Sequence, residues 1–145
     1  MIYCGYQGTG KSTYCRSHPD TTIDLDSHIL TKTPGWYQYY IVLAMSYSKT
    51  GKNVFISAHK EVLECLIANN IDFELMIPGD TEQVWRKRLE YRYATNPTRG
   101  NMNAILDFEK NFAKDMAYYA TLNCKKNFIK STIITDFGKY IVDTK

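Results

Sequence analysis

The chain has 145 residues, of which 44% are hydrophobic and 14% aromatic, with a formal net charge of +3. This length favours one domain, residues 1–145, with enough apolar side chains for a real core. The charge is too small to indicate a nucleic-acid-binding protein on bulk electrostatics alone. Four cysteines without a CxxC pair and three histidines argue against a zinc site.

The ends and the apolar runs of the chain bear on its compartment. The first apolar strand begins at Ile2, which leaves no room for a signal peptide. No apolar run approaches the ~18 residues of a membrane helix. Cysteines without obvious partners indicate free thiols and a reducing compartment. We therefore expect a cytoplasmic protein that does not enter a membrane.

Strand and helix signals alternate along the chain. Short β-branched or apolar runs predict five strands, at residues 2–5, 21–25, 53–57, 71–77 and 131–135. Apolar residues at helical spacing predict five helices, at residues 11–17, 36–50, 59–69, 81–93 and 103–122. Residues 98–101 are predicted to be a polar loop. The alternation indicates a parallel sheet with helices on both faces, in which ligands bind at the carboxyl ends of the strands.

The turn after the first strand carries a phosphate-binding motif. Residues 5–12, here called the P-loop, read GYQGTGKS and fit the pattern GxxxxGK(S/T) without a gap. Its glycines let the backbone approach phosphate oxygens, and the N–H groups at the start of the next helix attract anions. Lys11 would reach the β- and γ-phosphates, and the Ser12 hydroxyl would bind Mg²⁺. The predicted nucleotide-binding residues are Gly8, Thr9, Gly10, Lys11, Ser12 and Thr13. A glycine-rich turn with an incidental lysine is the alternative.

Two acidic residues follow the second predicted strand. Residues 23–28 read IDLDSH, so Asp24 and Asp26 project to the same side of an extended chain. One carboxylate could hold Mg²⁺ through water, and the other could orient or deprotonate an acceptor hydroxyl. Solvated acids at a strand end, or Asp26 capping a helix, remain the alternative.

A basic helix is predicted later in the chain. Residues 81–92 read TEQVWRKRLEYR and carry four clustered cations, Arg86, Lys87, Arg88 and Arg92. Arg88 and Arg92 are four residues apart and share a face. Arginines on a closing lid, around residues 81–101, could neutralise charge on a transferred phosphoryl group. A solvated helix with internal pairs such as Glu82–Arg86 is the alternative.

Aromatic residues and one histidine are weaker candidates for an acceptor site. Four aromatic side chains lie together after the turn at residues 34–35, Trp36, Tyr37, Tyr39 and Tyr40. They could stack on a nucleobase, although such a helical stripe more often belongs to a core. His59 follows the third strand and could meet the acceptor, while a cap or surface position is the alternative.

These motifs resemble those of small P-loop kinases of the nucleoside monophosphate kinase type, with the shikimate and dephospho-coenzyme A kinases as cousins. The P-loop, the acidic pair of IDLDSH and the segment FELMIPGDTEQVWRKRLEYR carry the resemblance over nearly the whole chain. The segment SAHKEV, residues 57–62, also resembles short nucleotide kinases encoded by phages. The resemblance implies a three-layer α/β/α sandwich around a five-stranded parallel sheet in the order 2-3-1-4-5.

The resemblance also implies roles for individual residues. Lys11 and Ser12 would bind the triphosphate of ATP and Mg²⁺, with Asp24 on the Mg²⁺ side and Asp26 on the acceptor side. The loop at residues 136–140 would border the adenine. The catalytic set would then be Lys11, Asp26 and the two lid arginines, Arg88 and Arg92.

Two departures narrow the function. The third strand, NVFIS, lacks the acid that many P-loop enzymes place there for Mg²⁺, and no NKxD guanine-reading motif is present. The missing acid disfavours a GTPase or a motor, and the missing NKxD motif disfavours a GTPase again. We expect an ATP-dependent phosphotransferase acting on a small acceptor, above all a nucleoside or deoxynucleoside monophosphate, as a monomer or homodimer. A kinase of nucleic-acid ends or modified bases, and an ATP-binding regulator without turnover, remain alternatives.

Overall fold

The computed structural model describes residues 1–27 and 30–130. Strands and helices alternate through most of this chain, and two helices follow one another before the last strand. In order, the elements are β1 Ile2–Gly5, α1 Lys11–Ser17, β2 Thr22–Asp24, α2 Trp36–Ser48, β3 Asn53–Ser57, α3 Lys60–Ala68, β4 Phe73–Pro78, α4 Glu82–Thr95, α5 Arg99–Ala120 and β5 Lys125–Ile129. None of the described helices combines the length and apolar character needed to span a bilayer.

The five strands form one parallel sheet in the order β2-β3-β1-β4-β5. This confirms the predicted fold class and strand order. β1 and β4 are buried at every position, and β3 at all but its last. Burial on both faces of the central strands is the pattern expected for a sheet covered by helices on both sides. The carboxyl end of β1 at Gly5 lies beside Ser57 of β3 and Met76 of β4.

The core forms where the central strands meet the apolar faces of the helices. Phe55 and Leu75 on the sheet are fully buried, as are Leu63 and Leu66 on α3. The Tyr3 and Phe55 rings stack with their centroids 5.2 Å apart. Burying a leucine or phenylalanine side chain contributes about 1.5–3 kcal/mol. This rigid centre holds the carboxyl ends of the strands in fixed positions.

One strand of the sheet was not predicted, and one sequence-based prediction is wrong. The fifth strand is Lys125–Ile129; residues 131–135, which were assigned to it, lie outside the described residues, as does the loop 136–140. A β-branched run led to the prediction at residues 131–135, whereas β5 contains two lysines and is held by its pairing with β4. Residues 98–101 are not a loop, because α5 begins at Arg99 and the Thr98 hydroxyl accepts a hydrogen bond from Asn101 N at 3.1 Å.

Candidate active site

The P-loop connects β1 to α1 in a fixed conformation. Tyr6 N donates to Met76 O of β4 at 2.9 Å, which ties the start of the loop to the sheet. Gly8 and Gly10 have φ angles of 84° and 95°, in the left-handed region that favours glycine. Thr9 is fully buried, and its hydroxyl donates to Tyr6 O at 2.8 Å. Its side chain therefore stabilises the turn from within, and only its backbone groups are available to bind a ligand.

Lys11 runs directly across Gly5. A Cβ on Gly5 would lie 2.6 Å from Lys11 Cδ and 2.9 Å from Thr9 Oγ1, so no side chain fits there. The Lys11 ammonium donates to Gly5 O at 3.4 Å. A half-buried ammonium over a glycine-rich turn with two left-handed residues suits a phosphate chain. Ser12 is exposed in the first turn of α1, so its hydroxyl could bind a metal ion.

Three of the predicted charged residues lie within electrostatic range of Lys11, namely Asp24, Asp26 and Arg92. Burial lowers the pKa of the Lys11 ammonium from its usual value, and the charge of Arg92 lowers it further. Asp24 and Asp26 act in the opposite direction and favour the charged form. The fold therefore brings two carboxylates and one guanidinium within electrostatic range of the P-loop lysine. Groups from β2, the P-loop and α4 converge on one edge of the sheet.

The two acids alternate with a buried residue. Asp24 ends β2 and Asp26 follows two positions later, and both are exposed, whereas Leu25 between them is buried. Leu25 N donates to Phe55 O at 2.9 Å. The Tyr40 hydroxyl donates to Leu25 O and accepts from Ser57 N at 3.0 Å. The backbone between the acids is thus anchored to β3 and α2.

The arginines of α4 divide into two groups. Arg86 forms an ion pair with Glu109 of α5 at 2.5 Å and so does not pair with Glu82 as the alternative proposed. A nitrogen of the Arg88 guanidinium lies 3.8 Å from the position that a Cβ on Gly10 would take. Arg92 donates through Nε to Asn101 Oδ1 at 2.9 Å, and burial lowers its pKa. Arg88 and Arg92 therefore lie on the P-loop side of α4.

A cleft of about 300 Å³ opens beside the start of α2. Its lining is mixed apolar and polar and comprises Leu30, Thr31, Thr33, Pro34, Gly35, Trp36 and Tyr39. Lys32 donates to Ser27 O at 2.6 Å, and its ammonium lies 4.7 Å from the centroid of the Trp36 ring. Tyr40 is fully buried and held by its hydrogen bonds, so it is not available to stack on a base. Of the other three aromatic candidates, Trp36 and Tyr39 line the cleft, whereas half-buried Tyr37 is not part of its lining.

His59 connects the segment after β2 to the segment after β3. It occupies the residue before α3, but its side chain makes no capping hydrogen bond. Its Nε2 lies 3.0 Å from the hydroxyl of buried Ser27, and its ring meets the Trp36 ring edge-on at 5.2 Å between centroids. The segment that carries Asp26 is therefore linked to the carboxyl end of β3.

Sequence reasoning missed two groups of residues at this site. Ser27 was given no role, although it directly follows Asp26. Gln7 and Trp85 were likewise given no role. The structure places the Trp85 indole against the P-loop, with Nε1 donating to Gln7 O at 3.1 Å. No local signal marks these contacts, because their partners are distant along the chain.

No protein-family model matches this chain, and none of the curated proteins does. Among solved structures it is similar to the shikimate kinase from Bacteroides thetaiotaomicron. The two chains share 14% sequence identity and superpose with a TM-score of 0.54, over 99% of this chain and 94% of that one. The two chains share one fold, built here around the five-stranded parallel sheet in the order β2-β3-β1-β4-β5. At this identity the likeness concerns the fold, and the chemistry must be argued from the residues.

Proposed function

We propose that this protein is an ATP-dependent phosphotransferase whose acceptor is a nucleoside or deoxynucleoside monophosphate. The observation that carries the proposal is the charge cluster around Lys11. The pKa of its ammonium is raised by the charges of Asp24 and Asp26 and lowered by that of Arg92. Arg88 lies against Gly10 of the same loop. A protein that only binds a nucleotide has no need for this arrangement of acids and arginines beside the phosphates.

Each residue has a task that follows from its position. Lys11 and the backbone N–H groups of the P-loop would neutralise the phosphate chain, and Ser12 with Asp24 would hold Mg²⁺. When bound, ATP supplies the phosphoryl group and Mg²⁺ offsets charge on its oxygens. Arg88 and Arg92 would stabilise negative charge on the group in transit.

The cleft beside α2 supports a nucleotide as the acceptor. Trp36 and Tyr39 offer aromatic surface for a base, and Lys32 adds a positive charge next to Trp36. A phosphate acceptor attacks with an oxygen that is already anionic, so it needs no strong base. Asp26 would then orient the acceptor or its bound water rather than remove a proton.

The proposal is tested by ADP formation from MgATP with each common nucleoside monophosphate, each deoxynucleoside monophosphate and several hydroxyl acceptors. We expect ADP formation that depends on a monophosphate and falls at least roughly 100-fold in Lys11→Ala, the scale of one lost electrostatic contact to the transition state. ATP binding with no acceptor-dependent ADP would contradict the proposal and favour a regulator. Activity confined to nucleic-acid ends would contradict the assigned acceptor.

Asp26→Asn separates the two kinds of acceptor. With a monophosphate we expect kcat to fall less than roughly tenfold, because no proton has to be removed from the nucleophile. A hydroxyl acceptor would lose general-base catalysis, worth roughly 10²–10⁴-fold. Asp20→Asn, an exposed acid outside the site, is the matched control and should leave kcat unchanged. A loss of 100-fold or more with a monophosphate would contradict the role given to Asp26.

A further inference from the structure

Trp85 touches both the P-loop and one of its candidate arginines. The side chain is fully buried on α4, and its Nε1 donates to Gln7 O at 3.1 Å. The Arg88 guanidinium carbon lies 4.4 Å from the centroid of the same indole, in cation–π contact. One ring therefore holds the backbone of the P-loop at its edge and the guanidinium on its face.

Neighbouring contacts also hold α4 and α5 against the P-loop around Trp85. Leu89 fills the space above Gly8, where a Cβ would lie 2.8 Å from Leu89 Cδ2. The Gln7 amide donates to Ala104 O at 3.1 Å and to Asp107 Oδ2 at 3.0 Å, which ties α5 to the same loop. Arg88 also donates to Lys130 O at 3.1 Å. In this structure α4 is docked on the P-loop.

We propose that Trp85 is a positioning residue that sets the place of Arg88 relative to the phosphate-binding backbone of the P-loop. The contacts at Gln7 and Gly10 carry this inference, whose consequence for catalysis rests on the proposed function. A free arginine side chain samples many rotamers, so holding its guanidinium in advance lowers the entropic cost of ordering it on a phosphate chain. Sequence spacing alone would make Trp85 a core residue. A residue that only packs in the core would, when mutated, weaken binding equally with and without Arg88.

The test is a double-mutant cycle of Trp85→Phe and Arg88→Ala, with binding of inorganic tripolyphosphate and of MgATP measured by calorimetry. Phenylalanine keeps an aromatic ring but lacks the N–H donor to Gln7. We expect Arg88→Ala to weaken binding roughly tenfold, the scale of one charged hydrogen bond. We expect Trp85→Phe to weaken it about 3–10-fold in the wild type and less than about twofold in the Arg88→Ala background, since interacting residues are not additive. Equal losses in both backgrounds would overturn the proposal.

Arg86→Ala provides the matched control on the same helix. Arg86 is engaged by Glu109, so its removal should weaken binding less than about twofold and combine additively with Trp85→Phe. Melting curves of every variant check that the fold is kept. If Trp85→Phe were as non-additive with Arg86→Ala as with Arg88→Ala, the specific link between Trp85 and Arg88 would be overturned.

A second measurement applies if Trp85→Phe does not fold. The chain has two tryptophans, so Trp36→Phe leaves Trp85 as the sole indole emitter. Tripolyphosphate should change its emission saturably as the anion binds the guanidinium held on the indole face, and Arg88→Ala should abolish this change. An unchanged emission, or the same change without Arg88, would overturn the proposal.

The outcomes separate this inference from the proposed function. Non-additive binding without phosphoryl transfer would support the role of Trp85 and remove the proposed function. An active kinase with additive losses would overturn the role of Trp85 alone. A wild-type protein that binds neither tripolyphosphate nor MgATP would overturn both.

Discussion

Gly8→Ala should destabilise the protein in two separable ways. Gly8 has a φ of 84°, and a non-glycine residue in this region costs about 1–2 kcal/mol. The new Cβ would also lie 2.8 Å from Leu89 Cδ2 and 3.5 Å from Trp85 Nε1, two side chains that are buried and cannot move aside freely. Overpacking of this kind costs about 1–3 kcal/mol more. We expect a loss of about 2–5 kcal/mol in the free energy of unfolding.

Gly51→Ala is the matched control. Gly51 has a φ of 89°, and a Cβ there would have no atom of the described chain within 4 Å, so only the backbone cost of about 1–2 kcal/mol applies. Equilibrium urea unfolding of both variants without nucleotide gives the comparison. The difference of about 1–3 kcal/mol measures the packing of α4 on the P-loop. Equal losses in both variants would refute the reasoning that α4 is docked on this loop.

Three further predictions concern charge and buried hydrogen bonds. Because burial lowers the pKa of Lys11, ATP affinity should fall and proton uptake on binding should rise as the pH increases through that pKa, measured by calorimetry over an alkaline pH series. Lys11→Arg should flatten both trends, and a flat wild-type profile would contradict the linkage. Tyr40→Phe should cost about 1–3 kcal/mol of unfolding free energy because two backbone groups lose their partner, whereas exposed Tyr39→Phe should cost almost nothing; equal effects would contradict this difference. Asn127→Ala should also cost about 1–3 kcal/mol, because its amide donates to buried Glu74 at 2.8 Å, and a neutral result in thermal unfolding would contradict that role.

The parts of the fold with strong local signals were predicted with the correct bounds. β1, α1 and β3 match the predicted residues, since an apolar run, a glycine-rich turn and a β-branched run mark them locally. β5 was not predicted, because the apolar and polar residues of KKNFI do not alternate cleanly. Its position depends on pairing with β4, where Lys125 lies opposite buried Glu74 and its Nζ is 3.3 Å from Glu74 Oε1. Tertiary pairing thus overrode local propensity.

The candidate site likewise contains one part that the sequence predicts and one that it does not. The P-loop could be predicted because its chemistry needs a fixed order of glycines, lysine and serine within eight positions. The hydrogen bond from Trp85 to Gln7 spans 78 residues of sequence, and that between Ser27 and His59 spans 32. Only the fold brings such partners together. The assignments of Asp24, Asp26, Arg88 and Arg92 to steps of a reaction stay predictions.

The central claim is that this chain moves the γ-phosphoryl group of ATP to a small acceptor. The most direct test supplies ATP labelled in the γ-phosphate with a mixture of nucleoside and deoxynucleoside monophosphates, and measures the label in each product by mass spectrometry. We predict one labelled nucleoside diphosphate formed for each ADP, and no label above background with Lys11→Ala. Label found only in inorganic phosphate, or no release of ADP from bound ATP, would contradict the account.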